Sequence, residues 1–222
     1  MSKKRHTAEE IGAWQPPCRT LDDHMSASMD RIEPIEYLRE CVPPDPPTII
    51  TAHLRLRART LADLEPIVEM DADPTVRRFI GGPLDRATHR EEVRRRIVEG
   101  RPEPHASWAV EWRDCPGLVG LCHLSHSEEA GLTQIGWRLH PSAWGQGVAT
   151  EAARAVLERA LGPIGLPAIV ALIAPENHAS IRVAEKIGMT QAGVVPYRNV
   201  LLAVYRAEHA SKQGAQPPVH NC

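Results

Sequence analysis

The alternation of apolar and polar positions predicts most of the strands of this chain. Between Ile49 and Arg57, Leu54 and Leu56 alternate with basic side chains, which is the period of a strand with one buried face. Ala168–Ala174 is almost wholly apolar, as expected of a central strand buried on both faces. The remaining predicted strands are Ser107–Arg113, Leu118–Ser125, Leu132–Leu139, a short strand around Val194, and Val200–Arg206.

Capping residues and helical periodicity predict the helices between these strands. Asp73 and the proline after it favour a helix start, with Asp as the cap and Pro in the first turn. His89, Val93 and Ile97 recur on one face of a helix that Gly100 ends. The predicted helices are Thr60–Met70 and Thr88–Gly100, each opened by a capping box, together with Asp73–Phe79, Ala149–Leu161 and His178–Ile187.

A cluster of prolines divides the chain. Pro43–Pro47 cannot continue a helix or a central strand, so we place a domain boundary there. With 222 residues the chain has room for one domain with a proper core. We predict that domain over residues 48–209, after a mostly irregular N-terminal extension over residues 1–47 and before a flexible C-terminal tail over residues 210–222.

The N-terminal extension has two interpretations. Its first eleven residues are similar to the start of small insertion-sequence transposase proteins, which would make it a DNA-binding arm. The likeness is too short to imply a DNA-binding unit. The other interpretation is a mis-assigned start, with Met25 and Met29 as the alternative first residues.

Composition narrows the function classes. The chain has 26 basic and 28 acidic residues, so it lacks the charge excess of a nucleic-acid-binding protein. It has no apolar run long enough for a membrane span and no apolar stretch after its basic start, so we expect a cytoplasmic protein. We expect a monomer or a homodimer; the sequence does not choose between them. Its five cysteines form no C-x-x-C pair, so we expect reduced thiols. We expect no metal, because His123 and His126 lie three apart on a strand and point to opposite faces.

The segment Trp144–Glu151 predicts an anion-binding loop. It lies between a strand that ends at Leu139 and a helix that starts near Ala149, and unpaired N–H groups at a helix start favour negative charge. Gly145 and Gly147 carry no side chains, so a phosphate group can approach closely. A pyrophosphate fits this description, although glycines at such a place also serve only to make the turn.

Two sequence segments form a pair of motifs: QIGWRLHPSAWGQGVATEA at Gln134–Ala152 and ENHASIRVAEKIGM at Glu176–Met189. Together they resemble the GNAT superfamily of N-acetyltransferases, in particular its Rim-like branch, the ribosomal-protein-alanine acetyltransferase type. The resemblance covers roughly residues 48–209. It implies an α/β fold with a mixed, mostly antiparallel central sheet flanked by helices, and a V-shaped cofactor cleft between the fourth and fifth strands.

The resemblance also implies acetyl-CoA as the co-substrate. The pantetheine arm would pair with the strand edge at Leu139, Asn177 would hydrogen-bond the pantetheine amides, and Thr150 would add a hydroxyl contact. The family's usual Arg or Gln at the first loop position is here Trp144, so one side-chain contact to phosphate is missing. The backbone N–H groups implied to bind the pyrophosphate are those of Trp144, Gly145, Gln146, Gly147, Val148 and Ala149.

The sequence matches the family's catalytic residues less completely than its cofactor-binding residues. The family's usual Tyr acid corresponds to Ala184, so Ser180, where Rim-like members carry a Ser, is our first choice as donor to the thiolate or thioester, and Tyr197 is the second. Ser180 is alternatively a first-turn residue that satisfies a backbone group, and Tyr197 a packing residue. The family's strand carboxylate is here Gln134, which cannot titrate. Candidates for the base are Glu128, Glu129, His123 and His126.

The leading hypothesis is an N-acetyltransferase in which an amine attacks acetyl-CoA directly in a ternary complex. The acceptor is a protein N-terminus or a small-molecule amine. The alternative is a non-catalytic acyl-CoA-binding regulatory domain.

One run of basic residues has two interpretations. It is either a solvated helix face, because glutamates interrupt it, or a site for an acidic acceptor. Its members are Arg77, Arg78, Arg86, Arg90, Arg94, Arg95 and Arg96.

Overall fold

The computed structural model describes residues 45–81, 84–100, 104–198 and 200–209. The predicted C-terminal tail and all but the last residues of the predicted extension lie outside these residues, so their limits stay predictions. The strands are β1 (Ile49–Ile50), β2 (Leu54–Ala58), β3 (Ala106–Trp112), β4 (Gly120–Ser127), β5 (Leu132–Leu139), β6 (Ala168–Ile173), β7 (Thr190–Tyr197) and β8 (Val200–Glu208). The α-helices are α1 (Leu64–Ala72), α2 (Pro74–Arg77), α3 (Arg86–Val98), α4 (Val148–Leu161) and α5 (His178–Lys186).

One mixed sheet organises the fold, in the strand order β1-β2-β3-β4-β5-β6-β8-β7. Only β5 and β6 are parallel neighbours, and every other neighbouring pair is antiparallel. The predicted mixed, mostly antiparallel sheet is therefore confirmed. The strand predicted at its start is a hairpin of two strands, because the Thr51 side chain and backbone bond to Leu54 and reverse the chain. The parallel pair, predicted as the fourth and fifth strands, is for this reason the fifth and sixth.

Helices cover both faces of the sheet. On one face α4 and α5 pack on the main core, around fully buried residues such as Trp108, Val156 and Ile169. On the other face α1 and α3 form a smaller core with Leu121 of β4. Since side chains alternate along a strand, His123 shares the α1 and α3 face with Leu121. This face carries the polar groups described below.

The helix caps correct part of the sequence prediction. Asp73 caps α2 as predicted, accepting a bond from the Thr75 N–H at 2.7 Å. The helix predicted to start at Thr88 starts instead at Arg86, because the Asp85 carboxylate accepts the Thr88 N–H at 2.8 Å and so takes the capping role. Thr88 then lies inside the first turn. The longest described helix, α4, has 14 residues, and no helix among the described residues is suited to crossing a bilayer.

Candidate active site

A cleft opens where β5 and β6 separate. The two parallel strands are joined at a single pair, Gln134 with Val170, and both continue beyond it. Each keeps its outer neighbour throughout: Leu139 of β5 pairs with Gly120 of β4, and β6 pairs along its length with β8. The inner edges beyond Gln134 therefore present main-chain groups that no neighbouring strand of the sheet satisfies.

The loop between β5 and α4 forms a cradle at the end of this cleft. Gly145 has φ +75° and Gly147 has φ +83°, a conformation that other residues rarely adopt. A Cβ added at either glycine would meet nothing within 4 Å, so open space lies in front of the helix start. The first N–H of α4 to find its helical partner is that of Glu151, at 3.0 Å from the Gly147 carbonyl. The N–H groups before it have no such partner, which fits a pyrophosphate.

Side chains of the loop stabilise its shape without using these N–H groups. The Trp144 indole N–H donates to the Leu139 carbonyl at 3.0 Å, and the Gln146 amide donates to the Ser142 carbonyl at 2.6 Å. The N–H of the next residue, His140, donates outward to the Val119 carbonyl just before β4, so the Leu139 carbonyl points into the cleft. The group predicted to pair with the pantetheine thus already accepts one bond, from the residue that replaces the family's usual Arg or Gln.

The second motif forms the other wall of the cleft. The Asn177 side chain caps α5, its oxygen accepting the Ser180 N–H at 3.1 Å, which leaves its amide NH₂ as the group able to donate. Ser180 is half-buried in the first turn. Ala184 is fully buried in the main core. The Arg154 guanidinium donates to the Lys186 carbonyl at 2.5 Å and so ties α4 to α5.

Tyr197 lies on a different element from Ser180. It is the last residue of β7 and is half-buried, and the Arg198 guanidinium lies 5.3 Å from its ring. A Cβ added at Gly81 would lie 3.9 Å from Arg198 and 3.4 Å from Arg77. The tip of the β7–β8 hairpin therefore approaches the end of α2, so Tyr197 is placed toward that side of the molecule.

A cavity of about 470 Å³ lies between α1, α2 and the start of α3. Three arginines of the basic run, Arg77, Arg78 and Arg86, line it. The other four pair with glutamates, which makes them the solvated helix face. Those pairs are Arg90 with Glu65, Arg94 with Glu91, Arg95 with Glu99, and Arg96 with Glu92.

A buried carboxylate connects this cavity to β5. The Asp71 carboxylate, which is fully buried, lies 2.8 Å from Nε2 of His89 and 2.7 Å from Nε of Arg138 on β5. Burial lowers the pKa of the Arg138 guanidinium below its ordinary value, against the attraction of Asp71. The sequence gives no sign of this trio, because its members come from three separate elements.

Glu151 is a second residue that sequence reasoning passed over. In the first turn of α4, its carboxylate accepts bonds from the Thr51 hydroxyl at 2.6 Å, the His53 N–H at 2.8 Å and the His53 ring at 3.0 Å. Burial opposes its ionisation, but these hydrogen bonds outweigh it and hold the pKa of Glu151 below its ordinary value. The contacts fasten the start of the cradle helix to the β1–β2 turn.

No group of three or more His, Cys, Asp or Glu residues is placed to hold a metal ion within the described part of the chain. Burial raises the pKa of the Cys122 thiol to about 12, and Cys115 is exposed and not in a disulfide.

Comparisons with known proteins agree with this geometry. The sequence matches the family profile of the acetyltransferase (GNAT) domain over residues 53–190, which is more than half of the chain. The chain belongs to the GNAT family of acetyltransferases. This GNAT protein is therefore an acyltransferase. It is 31% identical to the Bacillus subtilis protein YkkB over 160 residues, covering 71% of this chain and 93% of YkkB.

Solved structures share the fold of the GNAT protein. The acetyltransferase from Agrobacterium tumefaciens superposes with a TM-score of 0.63 and 26% identity, covering 75% of this chain and 97% of that one. RimL, named as a ribosomal alpha-N-protein acetyltransferase in complex with coenzyme A, superposes with a TM-score of 0.61 and 16% identity, covering 72% of this chain and 96% of that one. An identity as low as that with RimL supports the fold alone.

Replacing Glu151 with Gln tests its role in fastening α4. The variant loses charge-assisted hydrogen bonds, so we expect its free energy of unfolding at pH 7 to fall by about 2 kcal/mol. Because the pKa of Glu151 is lower in the folded state, the contribution is complete above its unfolded pKa of about 4.3 and disappears as pH falls through the lower folded value. Urea unfolding at a series of pH values measures the difference.

The control for this prediction is Glu158→Gln, a change at an exposed position of the same helix. We expect it to leave the free energy of unfolding within about 0.5 kcal/mol of the wild type. A Glu151→Gln variant as stable as this control at pH 7 would contradict the prediction.

Proposed function

We propose that this GNAT protein transfers an acetyl group from acetyl-CoA to a primary amine by direct attack in a ternary complex. The observation that carries the proposal is the cradle: two glycines with positive φ, open space in front of them, and helix N–H groups without helical partners at the end of a split sheet. A pyrophosphate needs such donors, and a pantetheine arm needs such an edge. RimL, which has the same fold, is solved with coenzyme A.

The chain's residues would hold the co-substrate in two ways. The backbone N–H groups of Gly145–Ala149 would bind the pyrophosphate, with the Thr150 hydroxyl beside them. The Trp144 N–H, which the sequence analysis included, instead donates to the Pro141 carbonyl at 3.0 Å and closes the short turn before the loop. The edge of β5 near Leu139 would pair with the pantetheine amides, and the Asn177 NH₂ would donate to a pantetheine carbonyl. Bound acetyl-CoA supplies the thioester that the amine attacks. Holding both reactants in one cleft would provide much of the rate acceleration.

Ser180 is the residue we propose to donate a hydrogen bond to the thioester oxygen or to the departing thiolate. It lies in the first turn of α5, the helix whose cap, Asn177, borders the cleft. Ala184 leaves this helix without a titratable side chain at the family's usual acid position, and its burial would keep a larger residue there from reaching the substrates without repacking the core. Tyr197, on the hairpin near α2, is the second candidate.

We propose further that the protein is of the Rim-like type. Ser180 and Trp144 occur where that branch carries them, and the fold matches RimL. The alternative, a non-catalytic acyl-CoA-binding domain, is not favoured by the relatives, which include proteins named as N-acetyltransferases.

The cavity between α1, α2 and α3 is our proposed acceptor site. Arg78 and Arg86 on its rim have no carboxylate partner among the described residues, in contrast with the paired arginines farther along α3. Guanidinium groups bind carboxylates and phosphates, so the acceptor would carry a negative group in addition to its amine. Its amine would then lie toward Arg138 and the cleft. Peptides with an acidic residue near the N-terminus fit this description, as do small amino acids.

Turnover with a panel of amines tests the proposed function. Release of free CoA from acetyl-CoA is followed with a thiol reagent, using peptides with alanine first and either Asp or Asn second, together with small amines. We expect turnover, with kcat/KM about tenfold higher for the acidic peptide because of its charge-assisted bond. Arg86→Gln should reduce this preference. Saturable acetyl-CoA binding without CoA release for any amine would support the non-catalytic alternative.

Replacing Gly147 with Val tests the cradle. A side chain there strains the backbone and occupies the space in front of α4, so we expect acetyl-CoA binding, measured by calorimetry, to weaken by more than about tenfold. Gly165→Val is a matched control, because Gly165 has φ +75° and equally open surroundings. It lies past the other end of α4, about 21 Å away along the helix. Equal effects of the two changes would contradict the assignment.

The role of Ser180 is tested by Ser180→Ala and Ser180→Thr. Loss of a donor to the reacting group should lower kcat about 100-fold in the alanine variant, whereas the threonine variant keeps a hydroxyl and should retain more activity. Calorimetry should show acetyl-CoA binding within a few-fold of the wild type for both. Full turnover by Ser180→Ala would remove Ser180 from the mechanism.

A further inference from the structure

The ring of His123 lies directly over the backbone of Gly136. The two residues face each other across β4 and β5. A Cβ added at Gly136 would come within 2.7 Å of Nε2 and 3.3 Å of Nδ1 of that ring, and closer still to the carbon between them. Gly136 does not have a positive φ, so its backbone conformation does not require glycine. The position is glycine in this structure because the imidazole fills the place of a side chain.

This contact places the imidazole beside the cleft. Gly136 is two residues beyond Gln134, the last residue of β5 that pairs with β6, so it belongs to the part of β5 that borders the opening. Ser107 of β3 is the other cross-strand neighbour of His123, yet the ring leans away from it, toward β5. Arg138 follows Gly136 on the same face and contacts Asp71 of the proposed acceptor cavity. The ring thus lies between the proposed acceptor cavity and the strand edge proposed for pantetheine.

The structure separates His123 from the other candidates for the base. His126 is exposed and lies on the opposite face of β4, as the strand alternation predicted. Glu128 and Glu129 are exposed in the turn before β5, at the end of that strand away from the cleft, and Glu129 bonds to Ser127. Gln134 bonds to Ser125 and has no proton to exchange at neutral pH. Among these candidates, only His123 places an ionisable side chain over the open part of β5.

We propose that His123 is the general base that prepares the acceptor amine, a role that rests on the proposed acetyl transfer. The neutral imidazole takes one proton from the acceptor ammonium, directly or through one water. The freed amine nitrogen then forms the C–N bond to the acetyl carbon, and the C–S bond breaks with its electron pair on sulfur. The nitrogen's second proton passes to the thiolate, so the products are the amide, free CoA thiol and one proton that the imidazolium returns to solvent.

Several charged groups share this face of the sheet with His123 and can also affect the pH dependence of the rate. From α1, α3 and β5 these are Asp71, His89 and Arg138, which contact one another. Farther along β3, Glu111 pairs with Arg55 and Arg57 of β2. His89 is the other imidazole among these groups, so the test must separate its effect from that of His123.

The test compares His123→Gln with His126→Gln and His89→Gln by measuring kcat, KM and the pH dependence of kcat/KM. For the wild type we expect kcat/KM to fall tenfold per pH unit on the acidic side. His123→Gln should lower kcat about 100-fold or more and remove this acidic limb, with the dissociation constant of acetyl-CoA unchanged. His126→Gln should keep both rate and limb, and His89→Gln should keep the limb.

Gly136→Ala provides a second test that leaves the imidazole present. The new methyl group must displace the ring, so we expect a loss of kcat and a retained thermal unfolding temperature within a few degrees, checked by circular dichroism on every variant. Wild-type protein without turnover would mean that the proposed function fails. Active wild type with a His123→Gln variant that keeps its rate and its acidic limb would overturn the role of His123 alone.

Discussion

The separation of β5 from β6 after one paired residue is the constraint on which the site depends. Main-chain N–H and C=O groups in a sheet require partners, and both strands have them on their outer sides. Their inner edges beyond Gln134 are left to another extended chain. Because the strands are parallel, their diverging ends are the carboxyl ends, and each leads into a helix, α4 or α5. The parallel pairing alone therefore places the cleft and the N-termini of both helices at the same edge of the sheet.

Contacts from outside the cleft hold this arrangement in place. Glu151 joins the start of α4 to Thr51 and His53, which come about a hundred residues earlier in the sequence, and Arg154 joins α4 to the end of α5. A cradle made of backbone N–H groups is only as well placed as the helix that carries it. The conformational entropy of these elements is lost during folding and not when a ligand binds. This favours a higher affinity for the ligand and a faster reaction of the bound substrates.

The sequence predicted the features that depend on nearby residues. The strand alternation placed β3–β5 within two residues, and the glycine loop was located because Gly145 and Gly147 act on their own backbone. Features that depend on contacts between distant segments were not predicted: the bonds of Glu151, the Asp71 trio, and the ring of His123 over Gly136. The cap of α3 was missed for a different reason, since Asp85 and Thr88 are both good caps and only the backbone conformation chooses between them.

The charges around the proposed acceptor cavity would affect the protonation of the acceptor amine as well as the selection of the acceptor. Most arginines of α3 are balanced by glutamates and Arg138 is balanced by Asp71, so the positive charge that remains is concentrated at the rim of the cavity. Such groups attract an anion and disfavour an ammonium, which lowers the pKa of an amine bound beside them. An acceptor that carries both an anionic group and an amine would be bound through its anionic group, and its ammonium would lose a proton more easily. With the amine's pKa lowered in this way, the imidazole proposed as the base would be sufficient, and the reaction would not require a carboxylate at the position of Gln134.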